Sequence, residues 1–371
     1  MRTTTNLPAS GHGHDATAGP PAAPRKRVGS GNRHLELPVP GGFLRIPRRP
    51  LLVCAVLAAA VLLLALVALG LGDYPLNIGQ VITAMASDQG FASKIVLEWR
   101  LPRVVAAVAF GAALGVSGAL FQTLTRNPLG SPDIIGFSTG AYTGAIISIT
   151  VIGSNLVAET AGALVGGLAT ALVVYLLAWR GGVQGFRLII VGIAVTALLN
   201  GVNTYLLLRA QTEVAMAASI WGAGSLSLVG WGEAAFALVP LAVLGLATFV
   251  VVRPLRQLEL GDDAARAHGV AAEPARLAIL VVGVGLIATV TAITGPIAFV
   301  ALAAPQIARR LVRGAGIPLG AAALTGALLL LAADLLAQHL VPGSVPVGVV
   351  TVVLGGIYLV ALLVHEARKH L

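Results

Sequence analysis

The chain has 371 residues, of which 57% are hydrophobic and only 11% are charged, and its formal net charge is +9. A soluble domain carries about 25% charged residues, so this composition excludes an ordinary soluble protein. Many apolar runs are close to the ~20 residues that cross a bilayer, which indicates an all-α, polytopic membrane protein. The basic residues are scattered between those runs, a distribution that favours a role in membrane topology over nucleic-acid binding.

Residues 1–50 differ from the rest of the chain because they are rich in Gly, Pro, Ser and Thr and contain no apolar run. They predict a disordered basic tail that is too long and too polar to be the front of a cleaved signal peptide. Residues 51–371 form the predicted transmembrane domain. Its single cysteine, Cys54, lies in the first apolar run, and one cysteine excludes a disulfide framework.

Ten membrane spans are predicted, of which the third is interrupted by glycine and the eighth is short. They are Leu51–Leu71, Val104–Leu124, Ile134–Ile152, Ala161–Trp179, Leu188–Leu208, Ala234–Val252, Leu277–Ile293, Ile297–Val312, Leu319–Leu340 and Val347–Val364. With the tail in the cytoplasm, 20 of the 24 Lys and Arg residues lie on the cytoplasmic side. This bias follows the positive-inside rule and predicts that both termini are cytoplasmic.

Arg100 and Arg103 precede the second span and break this rule, because they face outward together with Lys94 and Arg209. Long basic side chains at a helix end are commonly anchors that reach toward the membrane surface. The alternative is a docking site for an acidic patch on an external partner. The chemistry of the two residues leaves both interpretations open.

Small residues recur on the spans that follow those arginines. Gly111 and Gly115 form one GxxxG pair, and Gly136, Gly140 and Gly144 form a double one. Because lipid offers no hydrophobic drive between helices, close approach through glycine is how spans pack tightly. The pattern predicts a dense helical bundle but does not by itself predict transport.

Polar residues inside the spans indicate a second candidate site. Thr196, Asn200, Asn203 and Thr204 share one face of the fifth span, where they either join helices or line a water-accessible path. Two asparagines favour the path. Asp334 is the only acid well inside a span, and without a basic partner in its own helix it is expected to be neutral or to cap a helix break.

The connection 253–276 is charged and compact. Pro254 and Pro274 lie near its ends, and breaks at Gly261 and Gly269 predict a short amphipathic helix over Asp262–His268. Such a segment between two spans is suited to contact a cytoplasmic partner. A solvated connector is the alternative, although 24 residues are long for one.

Several catalytic patterns are missing from the sequence. None of the three lysines follows a glycine, so there is no P-loop for ATP. His365, Glu366 and His370 have the wrong spacing for a zinc protease. Carboxylates suited to a proton relay are nearly absent from the spans. The chain is therefore expected to be neither an enzyme nor self-powered, with no cofactor or metal of its own.

Six blocks of sequence, in order, resemble the membrane subunits of bacterial ABC importers for iron-siderophores and vitamin B12. They are RLPR (Arg100–Arg103), GAALGVSGALFQ (Gly111–Gln122), RNPLGSPDIIGFSTGA (Arg126–Ala141), GPIAFVALAAPQIARRL (Gly295–Leu311), PLGAAALTGALLLLAADLLA (Pro318–Ala337) and PVGVVTVVLGG (Pro346–Gly356). The resemblance covers about residues 51–368.

This resemblance implies the ten-span fold of a type II ABC importer permease, with spans two to five and seven to ten as inverted halves. It implies a second permease subunit, separate ATP-binding cassette ATPase subunits that bind Mg-ATP, and an extracytoplasmic solute-binding protein. Arg100 and Arg103 would receive the binding protein, and the polar face of the fifth span would line the translocation pathway. The residues implied in coupling to the ATPase are Glu259, Gly261, Asp262, Arg266 and Gly269.

The resemblance favours a ferric siderophore as the substrate of import across the cytoplasmic membrane. Vitamin B12 and haem are alternatives within the family, and an ATP-independent secondary transporter or a membrane scaffold are alternatives outside it. The chain departs from the family pattern at Gln306, where histidine is usual, at Ser344–Pro346, and at Gln338, where a further outward arginine can occur. A divergent half fits pairing with a non-identical sister permease, and a homodimer is the alternative.

Overall fold

The structure, a computed structural model, describes residues 34–39, 42–153, 155–179, 185–314, 316–339 and 345–367. Fourteen α-helices occupy these residues. They are α1 (Arg48–Gly70), α2 (Ile78–Ala86), α3 (Phe91–Lys94), α4 (Leu101–Leu124), α5 (Phe137–Ile152), α6 (Leu156–Ala178), α7 (Gly185–Arg209), α8 (Thr212–Gly222), α9 (Trp231–Glu259), α10 (Asp262–Ala267), α11 (Ala272–Thr294), α12 (Val300–Val312), α13 (Leu319–His339) and α14 (Val347–Ala367). The transmembrane domain is therefore helical, as predicted.

Seven helices are long and apolar enough to cross a membrane, counted over the described ranges. They are α1, α4 with the turns before it, α6, α7, α9, α11 and α13. The other three predicted spans correspond to α5, α12 and α14. α5 has 16 residues, α12 has 13, and the apolar part of α14 covers Val347–Ala361. Because these lengths fall below the ~20 residues of a bilayer crossing, the predicted count of ten is not confirmed.

The short helices α5 and α12 begin in the same way. Each follows a residue with left-handed backbone, Gly136 at φ 82° and Phe299 at φ 68°. A proline lies a few residues earlier in both cases, at Pro132 and Pro296. Proline lacks the N–H that a helix needs, and a left-handed residue cannot continue a right-handed helix. The predicted spans that began at residues 134 and 297 therefore start three residues too early.

α4 lies in the core of the bundle and packs against α9, α11, α12 and α13. A Cβ added at Gly111 of α4 would overlap the carbonyl of Gly326 on α13. The pair α5 and α6 is packed as closely, because a Cβ at Gly144 would overlap the carbonyl of Gly162. Backbones that touch through glycine give lipid-embedded helices their dispersion contacts, so the predicted dense bundle is confirmed.

Several elements were not predicted. A π-helical segment, Ile95–Arg100, joins α3 to α4, and a 3-10 turn, Pro132–Ile135, precedes α5. α2 begins with a reciprocal capping box, in which the Asn77 side chain accepts from the Gln80 N–H and the Gln80 side chain accepts from the Asn77 N–H, both at 2.8 Å. The Asn-x-x-Gln spacing is a readable signal for that helix start.

Two short strands precede α1. Strands β1 (His34–Val39) and β2 (Gly42–Pro47) are antiparallel, with His34 opposite Pro47 and Val39 opposite Gly42. The composition of residues 1–50 predicted no regular element, but apolar residues alternate with other residues over 35–39, which suits a strand. Residues 1–33 lie outside the described residues, so the disordered tail stays a prediction for them.

Candidate functional sites

Arg100 is the last residue before α4, at the end of the π-helical segment. Its Nη1 donates to the carbonyl of Leu69 and its Nη2 to the carbonyl of Tyr74, both at 2.8 Å. The last carbonyls of a helix have no partner within the helix, and a basic side chain can satisfy them. Arg100 therefore joins the start of α4 to the C-terminal end of α1.

Arg103 lies on the first turn of α4 and forms a two-point ion pair with Asp334 of α13. The Arg103 Nε is 2.9 Å from Oδ2 of Asp334, and its Nη2 is 2.8 Å from Oδ1. Gln338 donates its Nε2 to the same Oδ2 at 2.8 Å. The Asp334 side chain is 3% exposed and that of Arg103 is 19% exposed. A paired, charge-assisted contact of this kind is among the stronger polar contacts in a protein.

These residues line one cavity of about 430 Å³ beside the C-terminal end of α1, which we call the arginine pocket. Three aromatic rings form part of its wall. The rings of Tyr74 and Phe91 meet edge to face with centroids 5.8 Å apart, and those of Phe91 and Trp99 do so at 6.1 Å. The pocket therefore combines two guanidinium groups with an aromatic wall.

The structure brings together the two arginines that the sequence singled out, but it also gives them partners inside the chain. Asp334 has its basic partner on α4, at a sequence separation of 231 residues. The expectation that Asp334 is neutral or caps a helix break is therefore replaced by an ion pair. A docking role for Arg100 and Arg103 stays a prediction.

The connection between α9 and α11 contains the predicted short helix, as α10. The flanking glycines have positive φ, 111° at Gly261 and 79° at Gly269. A residue with a side chain rarely adopts these angles, so both glycines fit their positions. α9 continues to Glu259, and α11 begins at Ala272. The predicted connection 253–276 is therefore shorter than expected, because helical turns occupy both of its ends.

Asp262, the first residue of α10, holds this connection in place. Its Oδ1 accepts from Nη2 of Arg276 on α11 at 2.6 Å and from Nη2 of Arg126 at 3.2 Å. The hydrogen bond from Arg276 holds the pKa of Asp262 below its ordinary value, with further help from the nearby arginine charges. Arg126 also donates to the carbonyl of Leu258 at 2.7 Å. The connection after α4 is thereby tied to the end of α9.

The other residues predicted to couple to an ATPase lie on the surface of this connection. Glu259, Arg266 and Gly269 are exposed. Sequence reasoning missed Arg126 and Arg276 as partners of Asp262, because they lie 136 residues before it and 14 residues after it. The coupling role of the surface stays a prediction.

The polar residues of α7 divide into two groups. Asn203 is 3% exposed and its Nδ2 lies 3.5 Å from the carbonyl of Thr139 on α5, while the hydroxyl of Thr196 is also buried. Asn200 and Thr204 are exposed, and the Thr204 hydroxyl donates to the carbonyl of Asn200 at 2.9 Å. Only the second pair is free to line a path, and the translocation role stays a prediction.

Within the described ranges no group of three or more His, Cys, Asp or Glu side chains is placed to hold a metal ion. Arginine pairs with carboxylates at both sites, and these pairs join helices of the same chain.

Comparison with known proteins identifies the family. The model of the FecCD transport family matches residues 59–365. The ferric enterobactin transport system permease protein FepG of Escherichia coli K12 is 49% identical over 329 residues, which cover 88% of this chain and 100% of FepG. A second ferric enterobactin transport system permease protein of Escherichia coli K12, FepD, is 36% identical over 279 residues, which cover 74% of this chain and 83% of FepD.

A solved structure has the same fold. It is described as an inward-facing metal-chelate type ABC transporter, and it matches with a TM-score of 0.76 and 27% identity over 85% of this chain and 99% of its own. The family model spans most of the transmembrane domain, and a relative is matched along its whole length. This chain belongs to the FecCD transport family.

Proposed function

We propose that this chain is the permease subunit of an ATP-binding-cassette importer that moves a ferric siderophore across the cytoplasmic membrane. The observation that carries the proposal is the 49% identity to FepG along the whole of that ferric enterobactin permease protein. The chain itself binds no ATP in this proposal. Mg-ATP is bound by separate ATPase subunits, which contact the exposed surface around α10.

The partner permease is proposed to be a non-identical sister. Two different proteins of one organism, FepG and FepD, carry the name of the same transport system. This chain is 49% identical to the first and 36% identical to the second, so it corresponds better to one member of a pair. Expressed alone, the chain is expected to give little of the dimeric species that co-expression with its sister gives in size-exclusion chromatography. A stable dimer of this chain alone would contradict the pairing.

Two related, inverted halves are proposed on the basis of a feature that occurs twice. The left-handed residues Gly136 and Phe299 precede the short helices α5 and α12. Each lies against a later helix of its own half, which is α7 in the first half and α14 in the second. A Cβ at Gly136 would meet the hydroxyl of Thr196 on α7, and a Cβ at Gly355 on α14 would overlap the Phe299 ring. Repeats of this kind place substrate sites near interrupted helices, which supports a passage beside α7 and α14.

The outer end of the passage is proposed to dock the solute-binding protein through Arg100 and Arg103. Because Arg103 is paired with Asp334, replacing it alone would leave a buried carboxylate without its cation. The better variant combines Arg100→Gln, Arg103→Gln and Asp334→Asn, which removes the guanidinium charges and leaves no unpaired acid. We expect at least a tenfold loss of binding-protein affinity with the subunits still assembled. Asp334→Asn alone retains both arginines and is the control for their charge, although it is expected to be less stable because Arg103 loses its counter-ion.

Reconstitution tests the function itself. The chain, its sister permease and the ATPase are placed in liposomes with binding protein outside, and uptake of radiolabelled iron chelates is measured with ATP inside. Uptake is expected to require ATP and to be stronger for a ferric siderophore than for haem or vitamin B12. Uptake that persists without the ATPase would overturn the proposal in favour of a secondary transporter. Preference for haem or vitamin B12 would instead overturn only the substrate.

A further inference from the structure

An apolar groove of about 680 Å³ lies on the side of the bundle, away from the arginine pocket and from the polar face of α7. Its walls are α9 and α13, and α4 and α11 form its floor. Leucine, alanine and phenylalanine dominate the lining, which includes Leu238, Gly245 and Phe249 of α9 and Ala323 of α13. A Cβ built at Gly245 meets no atom within 4 Å, so the wall is open at that point.

The length of the groove matches one membrane leaflet. Its lining on α9 extends over the twelve residues from Leu238 to Phe249, which rise about 16 Å along a helix. Half of the hydrocarbon core of a bilayer is about 15 Å thick. The neighbouring side chains of α9 are those of a lipid-facing surface, since Leu246 is 70% exposed and Phe249 is 75% exposed. An acyl chain therefore fits the length and the chemistry of the groove.

Positive charge lies at one end of the groove, on the same helix. Arg253 and Arg256 follow Phe249 by four and seven residues, and these spacings keep all three on one side of α9. Both arginines are exposed, and no salt bridge joins either to a carboxylate in the part of the chain that the structure describes. They rise about 6 and 10 Å beyond Phe249 and follow the end of the predicted span Ala234–Val252, where headgroups are expected.

We propose that the groove between α9 and α13 binds an anionic phospholipid, with an acyl chain in the groove and the phosphate at Arg253 and Arg256. Basic residues between transmembrane helices bind anionic headgroups through charge, and the apolar groove adds chain burial. This site is independent of the proposed transport function. A stabilising lipid at α9 would also steady the end of the helix that leads into α10.

Native mass spectrometry of the full chain with its sister permease, in detergent, tests the site. Dioleoyl phosphatidylglycerol is expected to be retained at least fivefold more strongly than dioleoyl phosphatidylcholine. Arg253→Gln with Arg256→Gln should remove that preference, whereas Arg310→Gln, an exposed arginine on α12, should not. Gly245→Leu places a side chain in the groove from a position where a Cβ meets no atom within 4 Å, and it should lower retention of both lipids at least threefold. Val243→Leu adds bulk at an exposed position outside the groove and is its control.

The other outcomes separate the competing occupants. Soluble glycerol phosphate should fail to displace the lipid, and displacement by it would show a phosphate site without chain binding. Equal retention of the two lipids by the unmodified chain would overturn the proposal. The proposal would also be overturned if the double arginine variant kept its lipid preference but bound the ATPase more weakly. The arginines would then belong to a protein interface. Thermal unfolding of each variant confirms that it is folded.

Discussion

The guanidinium of Arg103 and the carboxylate of Asp334 join α4 to α13 through two hydrogen bonds of 2.8 and 2.9 Å. Both side chains are largely withdrawn from solvent, so each ion depends on the other for solvation. Arg103 is also one of the two residues, with Arg100, that are predicted to dock the solute-binding protein. A partner's carboxylate that approaches Arg103 would therefore meet a cation that is already paired. The hydrogen bonds of Arg100 instead go to neutral backbone carbonyls, and the nearby Asp73 acts on it through its charge.

The substitution Asp334→Asn tests the ion pair. It leaves the Arg103 charge without a counter-ion, and breaking a buried pair typically costs about 3–5 kcal/mol. Because Arg103 is partly exposed, we expect a loss of about 2–3 kcal/mol in the free energy of unfolding. The measurement is denaturation of the purified chain in detergent. Asp263→Asn, at an exposed carboxylate on α10, should change stability by no more than about 0.5 kcal/mol.

Adding Arg103→Gln to Asp334→Asn separates charge from packing. The double variant has neither ion, so it should recover part of the lost stability. If Arg103→Gln lowers the free energy of unfolding as much in the Asp334→Asn background as it does in the unmodified chain, the two residues are independent and the pairing is contradicted.

The carboxylate of Asp262 has a different role, because it links three segments at the surface. Its pKa is held below its ordinary value by the hydrogen bond from Arg276. A carboxyl group with a lowered pKa contributes stability above its unfolded pKa of about 3.9, and that contribution is lost as the pH falls through the folded pKa. Asp262 is thus ionised throughout the neutral range, and its links persist between about pH 5 and 8.

Replacing Asp262 with Asn should loosen α10 relative to α9 and α11. In reconstituted transporter we expect the number of ATP molecules hydrolysed per chelate imported to rise at least threefold. The neighbouring exposed residue gives the control, because Asp263→Asn leaves the links to Arg126 and Arg276 intact. An unchanged ratio in Asp262→Asn would count against coupling through α10.

At the scale of elements, two pairs of helices touch through their backbones at glycines, beside a core that also buries large side chains such as Phe110 and Phe121. Glycines on α4 and α13 and on α5 and α6 face one another with no room for a Cβ. The spacing of Gly111, Gly115, Gly140 and Gly144 was enough to predict tight packing. It could not name the partner helices, since a GxxxG pattern is complementary to any other surface of small residues.

Gly144→Ala tests the contact between α5 and α6. The added methyl group would overlap the Gly162 carbonyl, which belongs to the backbone and cannot rotate away, so the helices must separate. We expect a loss of about 1–3 kcal/mol in the free energy of unfolding. Gly356→Ala on α14 is the matched control, because a Cβ there meets no atom within 4 Å. Equal effects of the two substitutions would show that helix propensity, not close packing, is measured.

At the scale of the whole molecule, the distribution of basic residues predicts one orientation in the membrane. The predicted cytoplasmic side carries 20 of the 24 Lys and Arg residues, and α10 lies on that side. The arginine pocket would then open to the outside, opposite the surface for the ATPase. One chain would thus have its two partner surfaces on opposite sides of the membrane.

Cysteine labelling in intact cells tests that orientation. The single cysteine makes the chain suitable, since Cys54→Ser removes the only native thiol. Asp88→Cys, in the connection after α2, should react with a membrane-impermeant maleimide in intact cells. Asp263→Cys should react only after the cells are made permeable. Both positions are exposed on this chain, so in cells that lack the ATPase subunits a lack of reaction reflects the side of the membrane and not burial. The reverse pattern would overturn the proposed topology.

The sequence by itself determined the class of the protein, most of its long helices, the tight glycine packing, the short helix α10 and the family. These properties follow from short-range chemistry. Transfer of apolar side chains into lipid and hydrogen bonding within each helix depend on residues close in the chain, and a family pattern is read from local blocks.

Only the tertiary structure decided which charges meet and which polar groups face open space. Asp334 meets Arg103 across 231 residues, and Asp262 meets Arg126 across 136. The polar stretch of α7 is divided because α5 covers Asn203 and leaves Asn200 exposed. Such contacts depend on which helices lie side by side and at what depth. That arrangement arises from the packing of the whole bundle, so no local pattern in the sequence specifies it.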